Sequence, residues 1–268
     1  DGNAAHRMRN NPISLASGVL PEFAPPVTAA PAIAAGYDAV GLWAEPSAWT
    51  AETTRAVRHA LGGLPVLDIE VIWLKPGPDN PDHFRILDIG MELGARHALT
   101  VSSDPDAGAA TAKLARLCEH AEPSGMRVAL EFGLFTEVKT MADALSILSR
   151  AGKDNAALLI DPLHLSRSGG SPDDVKQVPH HLLPYAQFCD APAEWPDLSD
   201  PKAIIEEAVD LRLEPGKGAL PLQPLLDALP PDIPLSVELR SKALREAFPD
   251  AAARAKKLAQ TTRKFLQT

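Results

Sequence analysis

Positive charge is in short supply. Lys and Arg number 26 against 35 Asp and Glu, the net charge is −9 and the isoelectric point is about 5.4. That balance argues against a nucleic-acid-binding surface, which is normally basic, while local arginines could still hold a small anion. Cysteine is scarce: Cys118 and Cys189 are too few for a disulfide framework and read as reduced core thiols. No run of about 18 apolar residues occurs, so no transmembrane helix is expected. No signal-peptide pattern is visible, and the cytoplasm is the default location. No GxGxxG follows the first strand-like run, which removes support for a dinucleotide-binding fold. Neither a domain boundary nor an internal repeat beyond a strand–helix rhythm is apparent.

What is present fits one globular domain of 268 residues, with 45% hydrophobic and 23% charged side chains. Residues 1–10, DGNAAHRMRN, are polar and patternless, either a remnant ahead of Met8 or a frayed terminus; residues 11–268 form the domain. Strands are predicted near 13–17, 39–43, 65–72, 97–102, 127–131, 156–161, 185–189 and 234–238. Helices are predicted near 28–36, 51–61, 81–94, 107–122, 138–151, 172–179, 201–208 and 242–266. Thr140 and Ser171-Pro172 carry helix-start chemistry, and Gly36, Gly94 and Gly152 follow helical runs as stop signals. Eight strand–helix pairs in this length close most economically into a single (β/α)8 barrel, an α/β fold, with an open doubly wound sheet as the second choice. The longest irregular stretches, 73–80, 191–200 and 209–219, would then be loops at the catalytic face.

Four polar residues end or sit in consecutive strand-like runs: Glu131 in RVALE, Asp161 in AALLID, Gln187 in YAQFCD and Glu238 in PLSVE. A strand lining a hydrophobic barrel has no ordinary use for a carboxylate at its tip, because a buried carboxylate requires a cation, a proton or water. Each residue taken singly could cap a turn, bond a backbone group or pair with an arginine. Taken together on strands five to eight, they occupy one arc of the mouth, and three carboxylates with an amide oxygen make a hard, oxygen-rich divalent-cation site.

Around them stand further candidates. His164 and Arg167 follow Asp161 by three and six residues, on what reads as a loop at the same face. His164 could act as acid, base or donor, and Arg167 could clamp a substrate oxygen. Arg212, in RLEPGKG, would face the mouth and contact substrate, with Asp190 placed to orient it or a ligand. Glu70 on the third strand is a further acidic candidate for substrate binding. Trp43 and Trp73 could wall a sugar-sized pocket or pack in the core. His180-His181 reads as surface.

These residues resemble the xylose isomerase-like TIM-barrel superfamily, the sugar phosphate isomerase/epimerase group that includes inosose and 3-dehydroshikimate dehydratases and the endonuclease IV enzymes. The similarity runs from AGYDAV at 35–40 to Glu238. The family's first glutamate ligand matches Glu131 in VALEF, its Asp-x-x-His element Asp161 and His164, and its last glutamate Glu238 in SVEL. Where isomerases and epimerases carry a histidine on strand seven, this chain has Gln187 in QFCDAP, as in the dehydratase branch. The larger, His-rich metal set of the endonucleases is missing. The resemblance implies one divalent cation, Mg, Mn or Co before Zn, on Glu131, Asp161, Gln187 and Glu238. It implies proton abstraction beside a carbonyl through a metal-stabilised enediolate, with Glu131, Glu238 and His164 as acid/base groups. The expected substrate is a keto-sugar undergoing isomerisation or epimerisation; the alternative is dehydration of a cyclic hydroxy-ketone such as an inosose or 3-dehydroshikimate. The expected partner is that small molecule, a sugar or polyol-derived ketone, with neither nucleic acid nor membrane, and a homodimer is left open.

Overall fold

A computed structural model describes residues 9–268. Eight parallel strands, β1 (Ile13–Leu15), β2 (Ala39–Trp43), β3 (Val66–Leu74), β4 (His97–Ser102), β5 (Arg127–Glu131), β6 (Ala156–Leu159), β7 (Ala186–Phe188) and β8 (Leu235–Val237), run in the order β6-β5-β4-β3-β2-β1-β8-β7. A parallel bridge between Ile160 and Ala186 brings the two end strands together, and the sheet closes into a (β/α)8 barrel. Closure excludes the open doubly wound sheet.

The helices are α1 (Pro25–Ala34), α2 (Ala51–Leu61), α3 (Pro81–Glu92), α4 (Ala107–Ala121), α5 (Met141–Ala151), α6 (Pro162–Arg167), α7 (Pro172–Val175), α8 (Pro201–Asp210), α9 (Leu222–Ala228), α10 (Lys242–Ala247) and α11 (Ala251–Leu266). Thr140 and Ser171 cap α5 and α7 in reciprocal capping boxes, and Gly36, Gly94 and Gly152 all take positive φ behind helical runs. Three elements depart from expectation. The stretch after Asp161 is not a loop: Pro162 at the first helical position and the Asp161 side chain at the cap start α6. Leu222–Ala228 forms α9, too short a run to announce itself by periodicity. The closing helix is two helices, because Pro249 between α10 and α11 cannot continue the first.

Apolar side chains form two layers. Leu67, Leu99, Val101, Ala129, Ala157, Leu159 and Tyr185 pack inside the barrel, while a larger cluster fills the space between barrel and helices. Both cysteines are buried and free. The lumen is thus packed largely with apolar side chains below its mouth, and charged groups at the strand tips rest on that floor. The expectation for residues 1–8 lies outside the described residues; Arg9 is already tied down, donating its backbone N–H to Leu266 and its Nη2 to Asp227 at 2.5 Å. Among the described residues, no helix is long and apolar enough to cross a membrane.

Candidate active site

The C-terminal ends of the strands open on a cavity of about 280 Å³, lined by Glu70, Glu131, His164, Gln187, Arg212, Glu238 and Arg240 with Trp43, Trp73, Phe135, Ile205 and Val209 among its apolar walls. Both tryptophans therefore wall the cavity. Glu131 ends β5 and Gln187 lies on β7, and the backbone N–H of Gln187 reaches Ile160 O at 2.9 Å, which locks the Asp161 strand end to β7. Glu238, one residue past β8, donates its backbone N–H to Phe188 O at 3.1 Å. The ladder that closes the barrel thus brings these tips together.

Asp161 divides its two oxygens. Oδ1 accepts from Leu163 N (2.8 Å) and His164 N (3.3 Å), capping α6, while Oδ2 accepts from Arg212 Nη1 at 2.7 Å. The carboxylate is therefore a helix cap and a site group at once. With its carbonyl inward, Gln187 sets that oxygen 2.5 Å from Glu131 Oε1 and 2.7 Å from Asp161 Oδ2, three acceptors facing one another; amide nitrogen inward, the same contacts become hydrogen bonds. One ligating atom each of Glu131, Asp161 and His164 lie within 4.8 Å of one another. Glu238 stands in a neighbouring group: Oε1 accepts from Arg240 Nε at 2.7 Å, and Oε2 is buried without a partner among the described residues.

His164 lies against Phe135, with ring centroids 4.7 Å apart, and its Nε2 is 3.9 Å from Glu131 Oε1 and 3.3 Å from Arg212 Nη2. Burial, with Arg212 adding to it against Asp161, lowers its pKa to about 4, so the ring is neutral near pH 7. Arg212 is buried and uses Nε on Ala208 O (2.7 Å) and Nη1 on Asp161 and on Cys189 Sγ (3.2 Å). It lines the cavity but is anchored to protein. Asp190 does not touch that guanidinium; it accepts from the backbone N–H groups of Ala191, Gly216 and Leu220 and so shapes the loop that carries Arg212.

Arg167 is not brought to the cavity. It ends α6 and turns toward α8, where Nε meets both oxygens of Glu207 (3.1 and 3.0 Å), Nη2 meets Glu207 Oε1 (2.6 Å) and Pro192 O (2.9 Å), and the guanidinium lies over Trp195. Both partners are buried, so this pair fastens the 192–207 segment. Glu70 lines the cavity as expected, accepting from the Ser17 hydroxyl, with Arg240 Nη2 at 3.9 Å. His180 and His181 are exposed on a short 3-10 turn.

Sequence reasoning did not single out Arg240 or Asp68. Each stands two residues from a recognised acid on the same strand run, Glu238 and Glu70, and a period of two was the available signal. Asp68 accepts from the Tyr185 hydroxyl at 3.1 Å and leaves Oδ1 buried and unpaired. Asp68, Glu70, Glu131, Asp161 and Glu238 are all buried, against two buried or half-buried guanidiniums, Arg212 and Arg240, so full ionisation would leave three negative charges in excess. Burial, then the neighbouring Glu238, raises the pKa of Asp68 and Glu70; burial, then Asp161, raises Glu131 well above the carboxylate range. At Asp161 burial opposes ionisation, but Arg212 and His164 outweigh it and hold the pKa low. Excess negative charge and a carboxylate oxygen with no partner among the described residues suit a divalent cation, so the residues fit the implied metal.

The model of the family described as xylose isomerase-like TIM barrel matches residues 29–267. This chain belongs to that family. No curated protein matches the sequence. Among solved structures, a xylose isomerase-like TIM barrel/4-hydroxyphenylpyruvate dioxygenase fusion protein is 22% identical over 94% of this chain with a TM-score of 0.77, and this chain spans 42% of its length. The IolI protein, solved with a bound zinc atom, is 19% identical at a TM-score of 0.76, covering 94% of this chain and 95% of that one. The probable 3-DHS dehydratase AsbF from Bacillus anthracis is 16% identical at 0.74, covering 96% and 98%. At these identities the xylose isomerase-like likeness speaks for the barrel; what this barrel does follows from its own side chains.

Proposed function

We propose that the protein is a divalent-metal-dependent isomerase or epimerase of a keto-sugar, working by proton abstraction beside a carbonyl. The observation that carries this reading is that Glu131 and Glu238 line one cavity from strands three places apart on the eight-strand circle. Two carboxylates on different sides of a ring-sized space can remove a proton from one position and return one at another, the requirement for isomerisation or epimerisation. Glu131, Asp161 and Gln187, with Glu238 Oε2 or His164 completing the set, would hold the cation. A divalent ion there supplies Lewis-acid polarisation of the substrate carbonyl.

The remaining work belongs to the chain. Glu131, its carboxyl raised by burial and then by Asp161, reaches into the cavity, where it can exchange a proton with substrate. Arg212 keeps Asp161 ionised and oriented. Trp43, Trp73, Phe135, Ile205 and Val209 offer apolar walls that a bound substrate would cover. Incubation with ketoses in D₂O plus Mn²⁺, followed by NMR, tests the reading: exchange of the proton α to the carbonyl supports it, and no exchange across ketoses and inososes refutes it.

Dehydration of a cyclic hydroxy-ketone is the second reading, favoured by neutral His164 beside Glu131. A neutral imidazole can take the proton α to the carbonyl, and a carboxyl held in its protonated form, such as Glu131, can give one to the departing hydroxyl, which leaves as water. A conjugated carbonyl product absorbs in the ultraviolet, so one spectrum after incubation with 3-dehydroshikimate or an inosose separates the readings.

A further inference from the structure

Three arginines approach the mouth of the barrel, and they differ in what their nitrogens have left to offer. Arg167 is spent on Glu207 and Pro192 O, and Arg212 on Ala208 O, Asp161, Cys189 and His164. Arg240 uses only Nε, on Glu238 Oε1 at 2.7 Å. Its nearest other acid, Glu70 Oε2, lies 3.9 Å from Nη2, too far for a hydrogen bond, and neither Nη1 nor Nη2 bonds any other described residue. The side chain is 24% exposed and borders the open space of two cavities.

That space is a junction. A second cavity of about 280 Å³ adjoins the first over the tips of β1 and β2, with Leu20, Phe23 and Thr28 in its wall, and Trp43 and Arg240 line both cavities. Among the described residues lining this second cavity, Arg240 is the one charged side chain. The loop that forms it is fixed by α11, whose Arg254 donates to Val19 O at 2.9 Å and pairs with Glu22. Room for the guanidinium comes from Gly18, where a Cβ would lie 2.5 Å from Arg240 Nε and collide with Glu238. A guanidinium stays charged at any relevant pH, and its fork matches the two oxygens of a carboxylate or phosphate.

We propose that Arg240 is an anion-receiving residue at the junction of the two cavities, binding a carboxylate or phosphate group of the substrate whose ketone lies in the catalytic cavity. The substrate class is then an anionic keto compound and not a neutral sugar. This deepens the reading above and rests on it for the position of the ketone. Trp43, 41% exposed and shared by both cavities, supplies the apolar edge past which the anionic arm passes.

Calorimetric titration of the full-length, Mn²⁺-supplemented protein with matched probes tests the assignment: D-fructose against D-fructose 6-phosphate, and cyclohexanone against 3-oxocyclohexanecarboxylate. The anionic member of at least one pair should bind about 10-fold or more tightly than its neutral partner, the worth of a hydrogen-bonded charge pair. The pair with the larger advantage identifies phosphate or carboxylate as the group received. R240Q should abolish that advantage, read as the ratio of anionic to neutral affinity within the variant. Equal affinities in the wild type, or an advantage that survives in folded R240Q, overturns the proposal. Should R240Q not fold, R240K decides, because it keeps the charge beside Glu238 and removes the fork: a several-fold smaller advantage supports the assignment, an unchanged one overturns it. Exchange of α-protons from neutral ketones with no preference for anions would sink this inference and leave the proposed chemistry standing; a preference for anions without exchange from any ketone would do the reverse.

Discussion

Arg212 Nη1 lies 2.7 Å from Asp161 Oδ2, so the carboxylate after β6 is held by a cation delivered from the loop before α9. The other oxygen of Asp161 is occupied by the first turn of α6. The pair keeps one member of an acid-rich cluster ionised while its neighbours Glu131 and Glu70 are pushed toward the neutral form. A cluster tuned unevenly in this way can hold a cation and still contain a proton acceptor.

Replacing Glu238 by Gln should cut turnover by about 10²–10⁴-fold, the usual contribution of a general acid–base group, with an unchanged circular dichroism spectrum. The amide preserves shape and can still accept from Arg240, but it cannot take a proton. Near wild-type rates in the purified variant would remove Glu238 from the chemistry.

Arg167→Ala should act on stability. It strands Glu207 as an unpaired buried carboxylate, a loss of about 3–5 kcal/mol for breaking a buried pair, and frees the 192–207 segment. Urea unfolding measures this. His164→Ala should instead lower the rate at saturating substrate with a smaller effect on unfolding. A folded Arg167→Ala of normal stability whose only defect is a raised KM would return Arg167 to the substrate.

Divalent-cation stabilisation should grow with pH. The carboxyl of Glu70 is raised to about 8 and that of Asp68 to about 7, by burial and then by Glu238, so without a cation the folded state favours protons there. Groups with raised carboxyl pKa values contribute stability at low pH and lose it as pH rises toward 7–8. A cation held by Glu131 would displace the proton that burial and Asp161 favour there, and its charge would oppose protonation of nearby Glu70 and Asp68, so the melting-temperature difference between Mn²⁺ and EDTA samples should be larger at pH 8 than at pH 5.5. A difference that is absent, or that shrinks with pH, contradicts the cation site.

His97 sets acid sensitivity at the opposite end of the barrel. Its Nδ1 is 2.8 Å from Leu67 O, it stacks on Tyr185 at 4.3 Å, and burial lowers its pKa to about 4. The unfolded chain binds a proton near pH 6.5, so stability is intact above that value, falls as pH drops to 4 and levels below. The integrated loss is roughly 3 kcal/mol. Between pH 7 and 4 the stability of His97→Phe relative to wild type should rise by about that amount as pH falls, with His164, Glu70 and Asp68 titrating alike in both proteins, even if the variant is less stable at pH 7 through the lost hydrogen bond. An equal slope in both would assign the acid sensitivity elsewhere.

Local chemistry wrote much of this protein into its sequence. Strand runs ending in Glu131, Asp161 and Glu238, the caps at Thr140 and Ser171 and the stop glycines are each decided within a few residues, by burial period and by backbone conformations that one side chain can satisfy. Eight such units close most economically into a barrel, and their order sets Glu131, Asp161, Gln187 and Glu238 at the ends of four consecutive strands. Direction was not legible. Whether Arg167 or Arg212 reaches the cavity depends on α6 being helix and on Glu207 arriving from α8, forty residues away in sequence. Arg240 acquires its place only when β8 closes on β1 and Gly18 makes room. Sequence fixes which charges must be satisfied; the tertiary fold decides which partner satisfies each, because the strength of a charge pair depends on distance and burial, and both are set by chain segments that no local pattern connects.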